Sequence, residues 1–252
     1  MERNIAVVGV GYWGKNLVRD FYELGALHTI CDVNQELGTQ FKSQFSEIRS
    51  VESFDRLLND PAIKAVVIAT PAVHHYQMAK DALLAKKHVF VEKPLALKVD
   101  QGAELVKLAE QQNLILMVGH ILQYHPALEK LKELIDRGDL GKIQYIYSNR
   151  LNIGKIRFEE NILWSFAPHD ISAILFLLNE MPETVCATGG SYLQAKIPDV
   201  TLTTMDFKSG VKSHIFVSWL HPFKEQKLVV VGDKKMAVFD DMSKGEIISL
   251  SS

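Results

Sequence analysis

The sequence predicts an α/β chain in two parts: a doubly wound parallel sheet over residues 1–120, then an α+β part with an open, mainly antiparallel sheet over 121–252. Three observations carry this reading. Short β-branched runs alternate with amphipathic stretches through the first half, the pattern of βαβ units whose strands are buried on both faces. A glycine loop, Gly9-Val10-Gly11-Tyr12-Trp13-Gly14, directly follows the first run. Beyond His120 apolar and polar residues alternate, which marks a sheet with one uncovered face.

Taken in order, Ile5 to Val8, His28 to Cys31, Ala65 to Ala69, His88 to Val91 and Leu114 to Val118 are the strands of the first part. Ser53 stands before Phe54 to Asn59 as a helix cap, and Pro61 closes that helix. In the second part a helix runs from Pro126 to Gly138, and Lys142 to Asn149 alternates as a strand. A further helix is expected from Pro168 to Leu178. Three strands follow, Thr184 to Leu193, Val200 to Lys208 and Val211 to Leu220, the last two joined by a turn at Ser209-Gly210. Gly245 to Ser252 reads as a polar tail.

Lys plus Arg total 28 against 30 for Asp plus Glu, a formal net charge of −2. So even a balance gives no field of one sign, which argues against nucleic acid or an anionic membrane as partner. No apolar run reaches membrane-spanning length, and the N-terminus reads as a core strand and not an export signal, so a cytoplasmic location is expected. Cys31 and Cys186 lie in apolar stretches and are expected as two buried thiols. His74 and His75 are adjacent and cannot share a helix face, and no Cys or carboxylate cluster joins them, so no metal is expected.

In the glycine loop, Gly9 allows the tight turn, Gly11 lets the backbone approach a pyrophosphate, and Gly14 permits close helix–strand packing. The helix that follows points its first N–H groups at the phosphates. Asp32, 18 residues beyond Gly14, ends the second strand, where a carboxylate accepts hydrogen bonds from the adenosine ribose hydroxyls. The same charge repels a 2′-phosphate, and no Arg follows it in Val33 to Glu36, so NAD is expected in preference to NADP. The first part is thus a Rossmann domain, with Tyr12 and Trp13 among its cofactor contacts.

Glu92-Lys93-Pro94 comes at the carboxyl end of the strand His88 to Val91, the edge where open α/β sheets hold their ligands. Pro94 keeps Lys93 out of helical geometry and so in an extended backbone. The glycine loop, the segment Ala69-Thr70-Pro71 followed by His75, and Glu92-Lys93-Pro94, in this order, resemble the Gfo/Idh/MocA family of sugar and cyclitol dehydrogenases along nearly the whole chain. The resemblance implies a Rossmann domain followed by a domain with an open sheet. It adds Thr70, Pro71, His75 and Glu92 to the cofactor contacts. It gives Lys93 contact with the reacting hydroxyl and makes His169, in Ser-Phe-Ala-Pro-His-Asp-Ile-Ser, the acid or base. A histidine in the first turn of a helix starting at Pro168 would be kept neutral by the helix N-terminus, as a proton acceptor needs.

The chain departs from the family pattern at Ser165, where many members carry aspartate, and at Ala72, where many carry asparagine; Asp170 is the acid left beside His169. It is also shorter at the C-terminal end than is usual in the family, so the last sheet strands are expected to be missing. Within the family, GYWGKNLVRDF, GHILQYHPAL and LNIGKIRFEENILWSFAPHDIS resemble the branch of UDP-N-acetylglucosamine 3-dehydrogenases. Arg150, Asn152, Lys155 and Arg157 form a cationic run suited to a diphosphate or to solvent alone. Tyr124 and His125 are expected to line a sugar pocket or to pack between domains. Trp164, Phe166 and Trp219 read as core or subunit contacts. A free sugar or inositol as substrate, or NAD binding without turnover, are the competing readings. A homo-oligomer, dimer or tetramer, is expected from the open sheet.

Overall fold

The computed structural model describes residues 2–45, 47–153, 160–245 and 247–251, in two compact units, 1–119 and 120–252. Each is built around its own sheet.

The first unit contains β1 (Ile5–Val8), α1 (Gly14–Glu23), β2 (Leu27–Cys31), α2 (Gln35–Gln44), β3 (Arg49–Val51), α3 (Phe54–Leu58), β4 (Ala65–Ile68), α4 (Ala72–Leu84), β5 (His88–Val91), α5 (Val99–Gln112) and β6 (Leu116–Val118). The strands pair in the order β3-β2-β1-β4-β5-β6, all parallel. Successive residues of one strand go to opposite faces: Ala6 and Val8 join Val66, Ala79 and Leu83 on one side, while Val7 joins Val18, Leu27 and Ile30 on the other. Burial on both faces is why the central strands β1 and β4 are apolar at every position, at about 1.5–3 kcal/mol for each large side chain removed from water. The edge strand β3 is an element the sequence pattern did not single out. Ser53 precedes α3 with an extended backbone, but its hydroxyl makes no capping bond.

The second unit opens with a 3-10 turn (Ile121–Tyr124), then α6 (Pro126–Asp136), β7 (Ile143–Leu151), α7 (Ile162–Leu178), β8 (Pro182–Gly190), β9 (Val200–Phe207), β10 (Lys212–Ser218), β11 (Glu225–Gly232), β12 (Met236–Asp240) and β13 (Ile248–Ser251). The sheet order is β13-β12-β11-β7-β10-β9-β8, antiparallel except between β7 and β10. His125 caps α6, its Nδ1 accepting from Ala127 N at 3.2 Å. One sheet face, with Ile146, Ile215, Val217 and Leu228, shares a core with α6 and α7 through Leu131, Ala173 and Leu177.

Three expectations are corrected here. α7 begins at Ile162, six residues before Pro168, with Asn161 as its cap accepting from Trp164 N at 3.0 Å. Pro168 lies inside the helix, where it lacks the N–H that would reach the Trp164 carbonyl. The polar tail is in part a strand: Ile248–Ser251 pairs with β12, completing a run of three strands, β11 to β13, that was not anticipated. Cys186 is exposed, because the edge strand β8 is open to solvent along most of its length; Cys31 is buried as expected. No helix among the described residues is long and apolar enough to cross a membrane.

Candidate dinucleotide and catalytic site

The glycine loop has the geometry its residues require. Gly9 has φ +81, and a Cβ there would come within 2.9 Å of the Ala69 and Thr70 backbone. A Cβ on Gly14 would lie 1.8 Å from the Gly9 carbonyl oxygen, whereas one on Gly11 would meet nothing within 4 Å. Gly9 and Gly14 are therefore glycines of close packing, and Gly11 is the glycine of open space, where a diphosphate can come down onto the backbone. No side chain caps α1; Lys15 N and Asn16 N donate to Gly11 O and Trp13 O, and the positive end of the helix still faces the glycine loop, where an anion is favoured. Asp32 leaves β2 beside this loop, its Oδ2 accepting from Val10 N at 2.8 Å and its Oδ1 from Asn34 N at 2.9 Å. A carboxylate fixed in this way against the glycine loop fits a dinucleotide whose ribose hydroxyls it accepts from. Tyr12 is 87% exposed.

The other strand ends close around the same loop. Trp13 Nε1 donates to Glu92 Oε1 at 2.8 Å, and Glu92 leans on Gly119, where a Cβ would lie 2.9 Å from Oε1. Burial pushes the Glu92 carboxyl up from the ordinary range; the Trp13 hydrogen bond and the charges of Lys93 and His75 oppose this. Lys93 follows β5 half-buried, joined to Pro94 through a cis peptide. Thr70 Oγ1 donates to Met78 Sδ at 3.5 Å, and Pro71 stands immediately before α4. His75, expected at the cofactor, is instead 1% exposed. Its Nδ1 lies 2.7 Å from the Pro94 carbonyl and its Nε2 2.7 Å from the Thr70 carbonyl, so both polar atoms are used inside the protein.

In the second unit, His169 is half-buried and eighth along α7, not in a first turn. The helix-terminus argument for a neutral ring therefore does not apply, since that effect fades within one turn. Asp170 does not supply the acid missing at Ser165 either. It is buried, its Oδ2 accepting from Arg150 Nε at 2.8 Å and its Oδ1 from Ser148 Oγ at 2.6 Å. Arg150 accordingly lies within β7 and is 8% exposed, not in a cationic run following the strand. Gln226, opposite Arg150 on β11, extends this network when its oxygen faces Arg150 (3.3 Å) and its amide nitrogen Asp241 (2.8 Å). Asn152 follows β7 with its N–H donating to Ser218 O at 3.1 Å, and Tyr124 is 62% exposed. Arg157 and Lys155 lie outside the described residues. No group of three metal-ligating side chains occurs among the described residues.

The sequence reading missed the Trp13–Glu92 and Arg150–Asp170 pairs. Both join residues from separate segments of the chain, and only the alternation of β7, which puts Ser148 and Arg150 on one face, hints at the second.

With this geometry in place, comparison with known proteins gives the class. The NAD-binding Rossmann domain of the Gfo/Idh/MocA oxidoreductases matches residues 3–120, and the C-terminal domain of the same family matches 128–238. The chain belongs to the Gfo/Idh/MocA oxidoreductase family, and its first unit is the NAD-binding domain. Among its relatives, the 2,7-anhydro-N-acetylneuraminate hydratase of Escherichia coli K12 is 27% identical over 92% of this chain and 66% of its own length. The UDP-N-acetylglucosamine 3-dehydrogenase of Acidithiobacillus ferrooxidans is 27% identical over 84% of this chain and 66% of its own. The chain thus spans a little under two thirds of these relatives. The Bordetella pertussis WlbA dehydrogenase, solved with NADH and UDP-GlcNAcA, shares the fold with TM-score 0.89 at 21% identity, covering 99% of this chain and 77% of that one.

Proposed function

We propose that the protein is an NAD-dependent dehydrogenase of a sugar hydroxyl, acting on C3 of a UDP-N-acetylhexosamine such as UDP-N-acetylglucosamine. The observation that carries the reading is Lys93, half-buried at the carboxyl end of β5 next to Glu92, which is itself bonded to the glycine loop through Trp13. Relatives named as UDP-N-acetylglucosamine 3-dehydrogenase and myo-inositol 2-dehydrogenase support the reaction type.

NAD, when bound, supplies the hydride acceptor at its nicotinamide. The chain's own residues do the rest. Gly9, Gly11, Gly14 and Asp32 hold the diphosphate and ribose, with Tyr12, Thr70 and Pro71 beside them. Lys93 places a positive charge against the substrate oxygen and stabilises its alkoxide character as the C–H bond breaks. His169 takes the hydroxyl proton. Tyr124, Asn152 and Arg157 are assigned to the sugar nucleotide. Arg150, held by Asp170, shapes that region and leaves diphosphate recognition to others. The outer sheet face, carrying Tyr145, Tyr147, His214 and the 38% exposed Leu202, is assigned to pairing with further copies of the chain. A reducing, cytoplasmic setting suits the free Cys31 and Cys186.

A second reading has one specific support, the hydratase among the relatives: the sugar is turned over with no net change in NAD. Incubation with NAD and a panel of UDP-sugars, free sugars, anhydro-sugars and inositols, following NADH absorbance and product mass together, separates the readings. NADH formed from UDP-N-acetylhexosamines at a KM well below that of any free sugar is the expected result. Product without NADH selects the second reading. Bound NAD with no product across the panel contradicts both and leaves a non-catalytic NAD-binding protein.

A further inference from the structure

We infer that His75 is a positioning residue that couples the cofactor loop at Thr70 to the loop that carries Lys93. Its ring is 1% exposed, so it meets neither solvent nor a ligand directly. It spans two segments that are far apart in sequence, facing Pro94 O through Nδ1 and Thr70 O through Nε2, each at 2.7 Å. Carbonyl oxygens only accept, so a ring N–H is what either segment takes from His75.

These contacts close a ring of loops. The Ala69–Thr70 backbone packs on Gly9, at the distance where a Cβ would collide. Thr70 connects through His75 to Pro94, the residue after Lys93. Glu92, the residue before Lys93, connects back to the glycine loop through Trp13. Lys93 therefore lies between two anchors, Glu92 on Trp13 and Pro94 on His75. A displacement of the Thr70 segment by a bound dinucleotide reaches Lys93 through the His75 ring. This places His75 in the turnover step without contact with the reacting atoms. Its turnover arm rests on the proposed dehydrogenase reading; its exchange arm does not.

Two variants divide the bridge. The amide nitrogen of His75→Asn falls near the position of Nδ1 and keeps the Pro94 contact; that of His75→Gln falls near Nε2 and keeps the Thr70 contact. Amide hydrogen exchange of the full chain, with and without NADH, reads the coupling directly. Wild type is expected to slow in both segment 69–71 and segment 92–97 when NADH binds. In His75→Gln, segment 92–97 exchanges roughly tenfold faster, the size expected for one lost buried hydrogen bond, and NADH no longer slows it. His75→Asn shows this loss at 69–71. In turnover, His75→Gln lowers kcat at little change in NAD affinity, and His75→Asn raises the KM for NAD at little change in kcat. Faster exchange spread evenly over the first unit in both variants, or NADH protection of 92–97 retained in His75→Gln, overturns the inference. A wild type that shows coupled protection but no turnover faults the dehydrogenase reading and leaves the coupling standing.

Discussion

Arg150 and Asp170 meet in the interior of the second unit, guanidinium Nε 2.8 Å from carboxylate Oδ2, with side chains 10% and 3% exposed. The pair ties α7 to the middle strand of the sheet, and Asp170 is the neighbour in sequence of His169. Removing one member leaves the other charge buried and unanswered. Arg150→Ala is expected to cost about 3–5 kcal/mol in urea unfolding. Arg150→Met combined with Asp170→Leu, which removes both charges, is expected to cost much less. A loss below about 1 kcal/mol for the single change would contradict this role.

Asp32 is expected to set both affinity and cofactor choice. Asp32→Ala removes the acceptor for the ribose hydroxyls and the charge that repels a 2′-phosphate. Titration with each nucleotide should give an NAD affinity about tenfold to a hundredfold weaker, as for a lost hydrogen bond to a charged group. The preference for NAD over NADP should narrow at the same time. An unchanged preference would place the discrimination elsewhere.

Glu92 gives a pH dependence of stated sign. Burial raises its carboxyl in the folded protein, so the folded state holds the proton more tightly than the unfolded state does. The stability this contributes is fully present below the unfolded carboxylate's value, about 4.3, and is lost as pH rises through the folded one. Relative to Glu92→Gln, which cannot titrate, wild type should lose unfolding free energy as pH is raised from about 4 toward neutrality. A difference that is flat or grows with pH would show that the Trp13 bond and the nearby positive charges outweigh burial.

The two thiols should separate by reactivity. Cys31 is 3% exposed, and burial, helped by Asp32, pushes its thiol up to about 11, so little nucleophilic thiolate is present near pH 7. Cys186 is open on β8. Alkylation of the native protein followed by mass analysis should modify Cys186 alone, and Cys31 only after denaturation.

The first unit was legible in the sequence because its strands are buried on both faces and end in glycine, proline and carboxylate signals at fixed places. Gly9 to Gly14, Asp32 and Lys93 lie where local pattern put them. The start of α7 is hidden in the sequence because Pro168 imitates a first helical residue, whereas the true cap, Asn161, precedes an apolar run with no glycine or proline at its head. Strands β11 to β13 and the partners of Arg150, Asp170 and His75 depend on pairings across long sequence separations, which periodicity does not encode. The motif suggests a cofactor contact for His75, whereas its two nitrogens face the Pro94 and Thr70 carbonyls, partners that no motif specifies.

Lys93→Ala, assayed for turnover of a UDP-N-acetylhexosamine with NAD alongside the affinity for NADH, separates catalysis by Lys93 from cofactor binding. Turnover is expected to fall about a hundredfold or more, with NADH affinity within about threefold of wild type, less than 1 kcal/mol. Turnover close to that of wild type would contradict catalysis by Lys93.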